Sequence, residues 1–257
     1  DAPEMEDRVP ILQAGERGEH LGRLDLLVTD GVVQIQDYRL FAVDDGVPED
    51  AAMAAEVAAL DARLAEEIEV VVGRNATTLD ADRTVVRRIE SNFGDWVGDL
   101  ARALTGADVA LFNGGSFRAS IAAGEVRIRD VYQAFPFGNE LVTAEVSGAV
   151  LQQALDRSAS LDPEDNPGAF LQVSGMRLAI ADGKATSIQI GGRPLDPAAS
   201  YRLVMPDFLA AGGDGYGMLK DLPDANATGL LILDMVLDAF RGQDLVAIAT
   251  DGRLVRR

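Results

Sequence analysis

The 257-residue chain contains no cysteine. Disulfides, thiolate-bound zinc and thiol catalysis are thereby excluded, although the cellular compartment is not decided by it. Histidine occurs once, at His20. Zinc and di-metal hydrolase centres usually draw on several imidazoles, and a Ser-His-Asp triad would have to rest on this same residue. His20 stands in Gly18-Glu19-His20-Leu21-Gly22, just ahead of a predicted strand, and reads as a surface or edge residue. Basic charge is also scarce: 23 Lys and Arg face 42 Asp and Glu, for a net charge of −19. Binding of a nucleic-acid polymer or an anionic membrane needs a positive field, so a solvated acidic surface is the expectation. No apolar run approaches the ~20 residues of a membrane span. The opening residues, Asp1 to Asp7, have neither the basic nor the apolar region of a signal peptide.

Apolar residues are plentiful, at 47%, and a chain of this size hides on the order of 70–75% of its unfolded surface. Residues 9–43 read as short strands, with Thr29-Asp30-Gly31 as a hairpin turn between two apolar runs. Pro48 is placed in the first turn of a helix whose apolar stripe is Met53, Val57, Leu60, Leu64 and Ile68. Ser91 is the predicted cap of a helix carrying Phe93, Val97, Leu100 and Leu104, in which Gly94 and Gly98 would permit close packing. Val109–Phe112 reads as a short buried strand, and 147–158 as a second helix leading to the loop Asp162-Pro163-Glu164-Asp165-Asn166-Pro167-Gly168. Strands and tight turns follow from Phe170 to Val204, then a last helix near 230–240 and a closing strand near 245–249. Strands and helices without regular βαβ alternation predict an α+β, or mixed α/β, fold.

Four segments carry residues suited to ligand binding. In Asn113-Gly114-Gly115-Ser116-Phe117-Arg118, two glycines after a strand allow close backbone approach, and Arg118 offers a planar fork to phosphate or carboxylate; an ordinary strand-end turn explains the same residues. In Phe135-Pro136-Phe137-Gly138-Asn139, Phe137 is either core or a ring face held at a loop surface, and Asn139 can donate and accept. In Asp207-Phe208-Leu209-Ala210-Ala211-Gly212-Gly213-Asp214-Gly215-Tyr216, the Asp214 carboxylate suits two vicinal hydroxyls, or merely forms a turn. Arg87-Arg88-Ile89-Glu90 sits at a predicted helix start, where arginine makes either an anion site or a solvated pair.

The ordered set resembles the C-terminal domain of the 5′-nucleotidase family, over about residues 70 to 250: Arg-x-x-Glu, Asn-Gly-Gly-x-x-Arg, Pro-Phe-Gly-Asn, Phe-Leu-Gln-Val-Ser-Gly at 170–175, and Asp-Phe-Leu-Ala-x-Gly-Gly-Asp-Gly-Tyr. Val9–Gly15 and Leu21–Asp25 are similar to the last strands of that family's metallophosphatase domain. The resemblance implies a truncated metal domain at 1–44, a linker helix at 45–72 with a hinge near it, and a substrate-binding domain at 73–257. It implies that Phe137 and Phe208 sandwich a nucleobase, that Asp214 holds the ribose hydroxyls, that Asn113 and Asn139 contact the base, and that Arg87 and Arg118 hold phosphate. The expected ligand is a nucleotide or nucleoside. Two divalent metal ions of the zinc or manganese type are implied for the N-terminal domain and none for this chain, which alone would be inactive. The implied activity of the intact protein is hydrolysis of nucleotide phosphate esters, in the periplasm or at the cell surface. Alternatives are cleavage of 2′,3′-cyclic nucleotides, UDP-sugars or thiosulfate-type substrates, or a noncatalytic nucleoside-binding or dimerisation module. The chain departs from the family pattern at Ser116, where a third glycine is usual, and at Asp207, where asparagine is often found.

Overall fold

The computed structural model describes residues 4–6, 9–15, 17–165 and 167–257. Asp1, Asp7 and Asn166, named above, lie outside them. The chain divides into two compact units, 1–63 and 64–257.

In the first unit, β1 (Glu4–Glu6) pairs antiparallel with β2 (Val9–Ile11), and β3 (His20–Thr29) with β4 (Val32–Ala42). Asp30 and Gly31, at φ 50° and 78°, make the turn between β3 and β4, as Asp-Gly between apolar runs leads one to expect. His20 is exposed at the start of β3. Helix α1 (Ala51–Ile68) runs from the first unit into the second. Pro48 is not in its first turn, contrary to expectation. The Asp50 carboxylate accepts from the N–H groups of Ala52 and Met53 at 2.9 and 3.0 Å, and that capping starts the helix at Ala51. The predicted stripe Met53, Val57, Leu60 and Leu64 is solvent-exposed, as are Leu21, Val28, Val32 and Val33 of the ribbon.

The second unit continues with β5 (Val71–Asn75), α2 (Arg83–Val86), α3 (Asn92–Thr105), β6 (Val109–Asn113), β7 (Gly124–Arg127), α4 (Ile128–Ala134), β8 (Glu140–Ser147) and α5 (Gly148–Ala159). Then come β9 (Leu171–Ser174), β10 (Met176–Ala181), β11 (Lys184–Ile190), β12 (Arg193–Pro194), β13 (Ser200–Pro206), α6 (Asp207–Ala210), β14 (Asn226–Leu231), α7 (Ile232–Arg241) and β15 (Leu254–Arg256). The central sheet has the order β14-β8-β13-β6-β9, with β6 and β13 parallel and the other pairs antiparallel. A second sheet, β12-β11-β10-β15, has one parallel pair, β10 with β15. This is the mixed α/β arrangement that the absence of βαβ alternation predicts.

Strand β6 is buried from end to end, and its alternate residues serve different cores. Ala110 and Phe112 belong to the cluster under α3, α4 and α7, whereas Val109 and Leu111 join the one formed with α5 and the second sheet. Helix α3 lies tight against β9. A Cβ on Gly94 would stand 2.6 Å from the Gln172 side chain, and one on Gly98 2.8 Å from Ser174 Cβ, so these two glycines set the packing distance. Ser91 caps α3, its hydroxyl accepting from Phe93 and Gly94 N–H at 3.2 and 3.5 Å.

Two further expectations are corrected. Residues 245–249 form no strand. Val246 alone is bridged, exchanging hydrogen bonds with Arg74 and Ala76 at 2.8 Å each, and the closing strand is β15. Glu90 prepares it by accepting from Asp251, Gly252 and Leu254 N–H at 2.8, 2.9 and 3.3 Å. Arg87 is not at the start of α3. It caps the C-terminal end of α2, a helix that Asp82 begins by accepting from Thr84 N–H at 2.8 Å.

Candidate functional site

One cavity of about 430 Å³ is lined by all seven residues singled out above, together with Gly115, Ser116 and Gly168. Five segments deliver them. Arg87 stands at the C-terminal end of α2 and Gly168 just ahead of β9. Asn113 ends β6, and the turn after it supplies Gly115, Ser116 and Arg118. Phe137 and Asn139 lie between α4 and β8, and α4, which has no clear sequence signal, sets up that loop. Phe208 is in α6, and Asp214 follows in a tight turn.

The Phe-Pro-Phe segment is split by the fold. Phe135 is 4% exposed and packs edge-on against Phe93 and Phe117, at centroid distances of 5.4 and 5.6 Å. Phe137 is 50% exposed and Phe208 42%. Neither is core, and both present apolar surface to the cavity. Phe208 leans back over its own loop: a Cβ on Gly213 would fall 2.5 Å from Phe208 Cζ. Only a glycine at 213 leaves room for the ring.

Asp214 adopts the left-handed conformation, with φ 54°. Arg157 on α5 holds it there, donating from Nη2 and Nε to the Asp214 carbonyl at 2.7 and 3.2 Å. The Asp214 carboxylate accepts from Asn113 Nδ2 at 2.9 Å, and Asn113 Oδ1 accepts from the Ser116 hydroxyl at 2.6 Å. Asn113 is 4% exposed, and both ends of its amide are occupied by the protein. Ser116 thus supplies a hydroxyl that glycine would lack, and fixes which end of the Asn113 amide meets Asp214. Asn139 donates from Nδ2 to Asp207 at 2.6 Å.

Arg87 and Arg118 make the cationic side of the cavity. Burial, then the neighbouring Arg83 and Arg118 guanidiniums, push Arg87 below the ordinary arginine range, with Asp214 opposing. The chain as a whole is strongly acidic, so convergent arginines are a local reversal of sign suited to an anion. Arg118 lies 5.6 Å from the centroid of the Phe137 ring, in range for cation–π attraction.

Gln172 and Arg157 act on the site from outside the cavity. Buried Gln172 donates to Val86 O and Ile89 O at 2.9 and 2.7 Å and accepts from Ser91 N–H at 2.9 Å, so it braces the segment that carries Arg87. The Phe-Leu-Gln-Val-Ser-Gly motif contains Gln172 but does not reveal that task. Nothing in the sequence around Arg157 signals its role.

The donor set of the described residues does not fit a two-metal hydrolase centre. His20, the one imidazole, is exposed on β3. Among the described residues one group of three carboxylates converges, Glu90, Asp95 and Asp251. The Arg253 guanidinium already stands 3.3 Å from Asp95 and 3.1 Å from Asp251.

A family model described as the 5′-nucleotidase C-terminal domain matches residues 71–221. The chain belongs to the 5′-nucleotidase family. Its sequence is 31% identical over 247 residues to protein UshA of Escherichia coli, covering 89% of this chain and 44% of UshA. It is 30% identical over 277 residues to the 5′-nucleotidase of Vibrio cholerae, covering 99% and 49%. The crystal structure of a 5′-nucleotidase precursor from Thermus thermophilus matches with a TM-score of 0.75 and 31% identity, over 96% of this chain and 52% of that one. The fold is also that of a putative 5′-nucleotidase from Staphylococcus aureus, at a TM-score of 0.83 and 20% identity, over 99% and 54%. The chain spans about half the length of the curated relatives it matches. The 5′-nucleotidase match covers α2 through α6 and so every residue lining the cavity.

Proposed function

We propose that the cavity binds a nucleoside or nucleotide, and that the chain is the substrate-gripping part of a two-metal 5′-nucleotidase-type phosphohydrolase. The observation that carries this reading is the pair of half-exposed rings, Phe137 and Phe208, on the same cavity as the Asp214 carboxylate. Two aromatic faces suit a flat base of any identity, and a fixed carboxylate accepts from the ribose hydroxyls. Arg87 and Arg118 take the phosphate. Asn139 reads the base edge. Asn113 acts by holding Asp214, its own amide being occupied.

In this reading the intact protein hydrolyses nucleotide phosphate esters. Two divalent ions held outside this chain would supply the polarisation of the phosphate and the activation of water. Residues 1–44 are then part of the metal domain, and 45–72 link it to the binding domain and contain or adjoin a hinge. The exposed apolar faces of the β3–β4 ribbon and of α1 support a larger partner domain, since such faces are normally covered. A periplasmic or cell-surface location belongs to the same proposal. Among the described residues no helix is long and apolar enough to cross a membrane.

The split between grip and chemistry is tested by incubating the pure 257-residue chain with AMP, ADP or UDP-glucose and added Mn²⁺ or Zn²⁺. Neither phosphate from AMP or ADP, nor UMP and glucose 1-phosphate from UDP-glucose, is expected above buffer. Reproducible turnover that is lost on chelation would place a metal centre within this chain and overturn the split.

A further inference from the structure

An asparagine amide has a donor at one end and an acceptor at the other, and half a turn about its last torsion exchanges them. An unconstrained asparagine at a base edge therefore accepts an amino-bearing and an oxo-bearing base about equally. Asn139 is constrained. Its Nδ2 lies 2.6 Å from Asp207 Oδ1. The same oxygen accepts from the Phe208 N–H at 2.8 Å, which fixes the carboxylate. The Asn139 backbone is held as well, its carbonyl accepting from Ile232 N–H at 3.0 Å.

An ionised carboxylate only accepts. A flipped Asn139 would bring two oxygens together at that short distance and lose a charge-assisted hydrogen bond. The nitrogen end therefore stays on Asp207. Asn139 lines the cavity, and Asp207 is not among the residues that do. With the nitrogen end on Asp207, the carbonyl end is what the amide has left to offer a ligand.

We infer that Asp207 is a positioning residue that makes the cavity select bases carrying an exocyclic amine over those carrying a carbonyl at the same position, an inference that rests on the nucleoside reading of the site. Adenine and cytosine present an N–H donor to the Asn139 carbonyl. Hypoxanthine and uracil present an oxygen there, and two acceptors face each other. An asparagine at 207 would keep its carbonyl on the Phe208 N–H but lose the charge, so the hold on Asn139 would weaken, whereas alanine would release it.

The test is calorimetric titration of the 257-residue chain with adenosine, inosine, cytidine and uridine. The wild-type chain is expected to prefer adenosine to inosine, and cytidine to uridine, by about tenfold, the scale of one well-made hydrogen bond against an unmet one. Asp207→Ala should bring both ratios to about threefold or below, and Asp207→Asn should lower them to between that and the wild-type value. Phe208→Ala should weaken all four nucleosides alike and leave the ratios unchanged, which separates stacking from edge reading. Nucleoside binding with amino-to-oxo ratios that are the same in wild type and both Asp207 variants would overturn the positioning role and leave the site intact. Failure of all four nucleosides to bind the wild-type chain would overturn the nucleoside reading and this inference together.

Discussion

Phe208→Ala is expected to weaken adenosine binding by roughly five- to 150-fold, the range that corresponds to about 1–3 kcal/mol for one stacked base. The ring is 42% exposed and lies over Gly213 rather than in either core cluster. Its removal therefore strips a wall of the cavity without opening a hole in the core. The melting temperature should stay close to that of the wild type, whereas a core phenylalanine truncated to alanine costs about 3–5 kcal/mol. Phe135→Ala is the matching control. Only two residues from Phe137, it packs with Phe93 and Phe117 and should lose stability first. Equal adenosine affinity in Phe208→Ala and wild type would remove Phe208 from the grip.

A second large effect concerns stability and pH. Asp95 is 1% exposed in α3. Burial, opposed by Arg253 and reinforced by the nearby Glu90 and Asp251 carboxylates, pushes its carboxyl up to about 8. An unfolded chain releases this proton near pH 4. Between those limits the folded chain holds a proton that the unfolded chain has lost, so each rise in pH favours unfolding. The contribution is whole below about pH 4 and lost as the pH passes 8. The slope is about 1.4 kcal/mol per pH unit near pH 6 and about half that at pH 8, or roughly 2 kcal/mol over the interval. Ordinary carboxylates are ionised in both states across that window and add no slope. Asp95→Asn places a neutral amide where the protonated acid stood and should flatten the profile. Urea unfolding of both proteins at pH 6, 7 and 8 measures the difference. Parallel profiles for wild type and Asp95→Asn would mean that Asp95 is ionised in the folded chain.

Sequence makes legible what neighbouring residues decide. Ser91 caps α3, Asp30-Gly31 turns the hairpin, and Val109–Phe112 is a buried strand because each depends on a few adjacent residues. Pro48 misleads because Asp50 offers a better cap two residues later. The segment 245–249 has strand-like composition, but only Val246 finds a backbone partner, and that partner lies far back in the chain at Arg74 and Ala76. Arg87 points to the wrong helix end because the four-residue α2 is too short to show a period.

The candidate site shows the same division. Periodicity cannot tell whether Phe137 and Phe208 are core or surface; the resemblance favours the surface, and the fold leaves both rings exposed on the cavity. Arg157, Gln172 and Asp207 are unreadable as supports because they act across 57, 86 and 68 residues of sequence. Ser116 and Asp207 stand out in the sequence as departures from a family pattern. In the structure each hydroxyl or carboxylate oxygen has a named asparagine to orient.

The central claim, that this cavity is a nucleoside grip, is tested most directly by a crystal structure of the 257-residue chain with adenosine at saturating concentration. The account predicts the base between the rings of Phe137 and Phe208, with the ribose hydroxyls on the Asp214 carboxylate. Adenosine bound elsewhere, or an empty cavity at saturation, would contradict it.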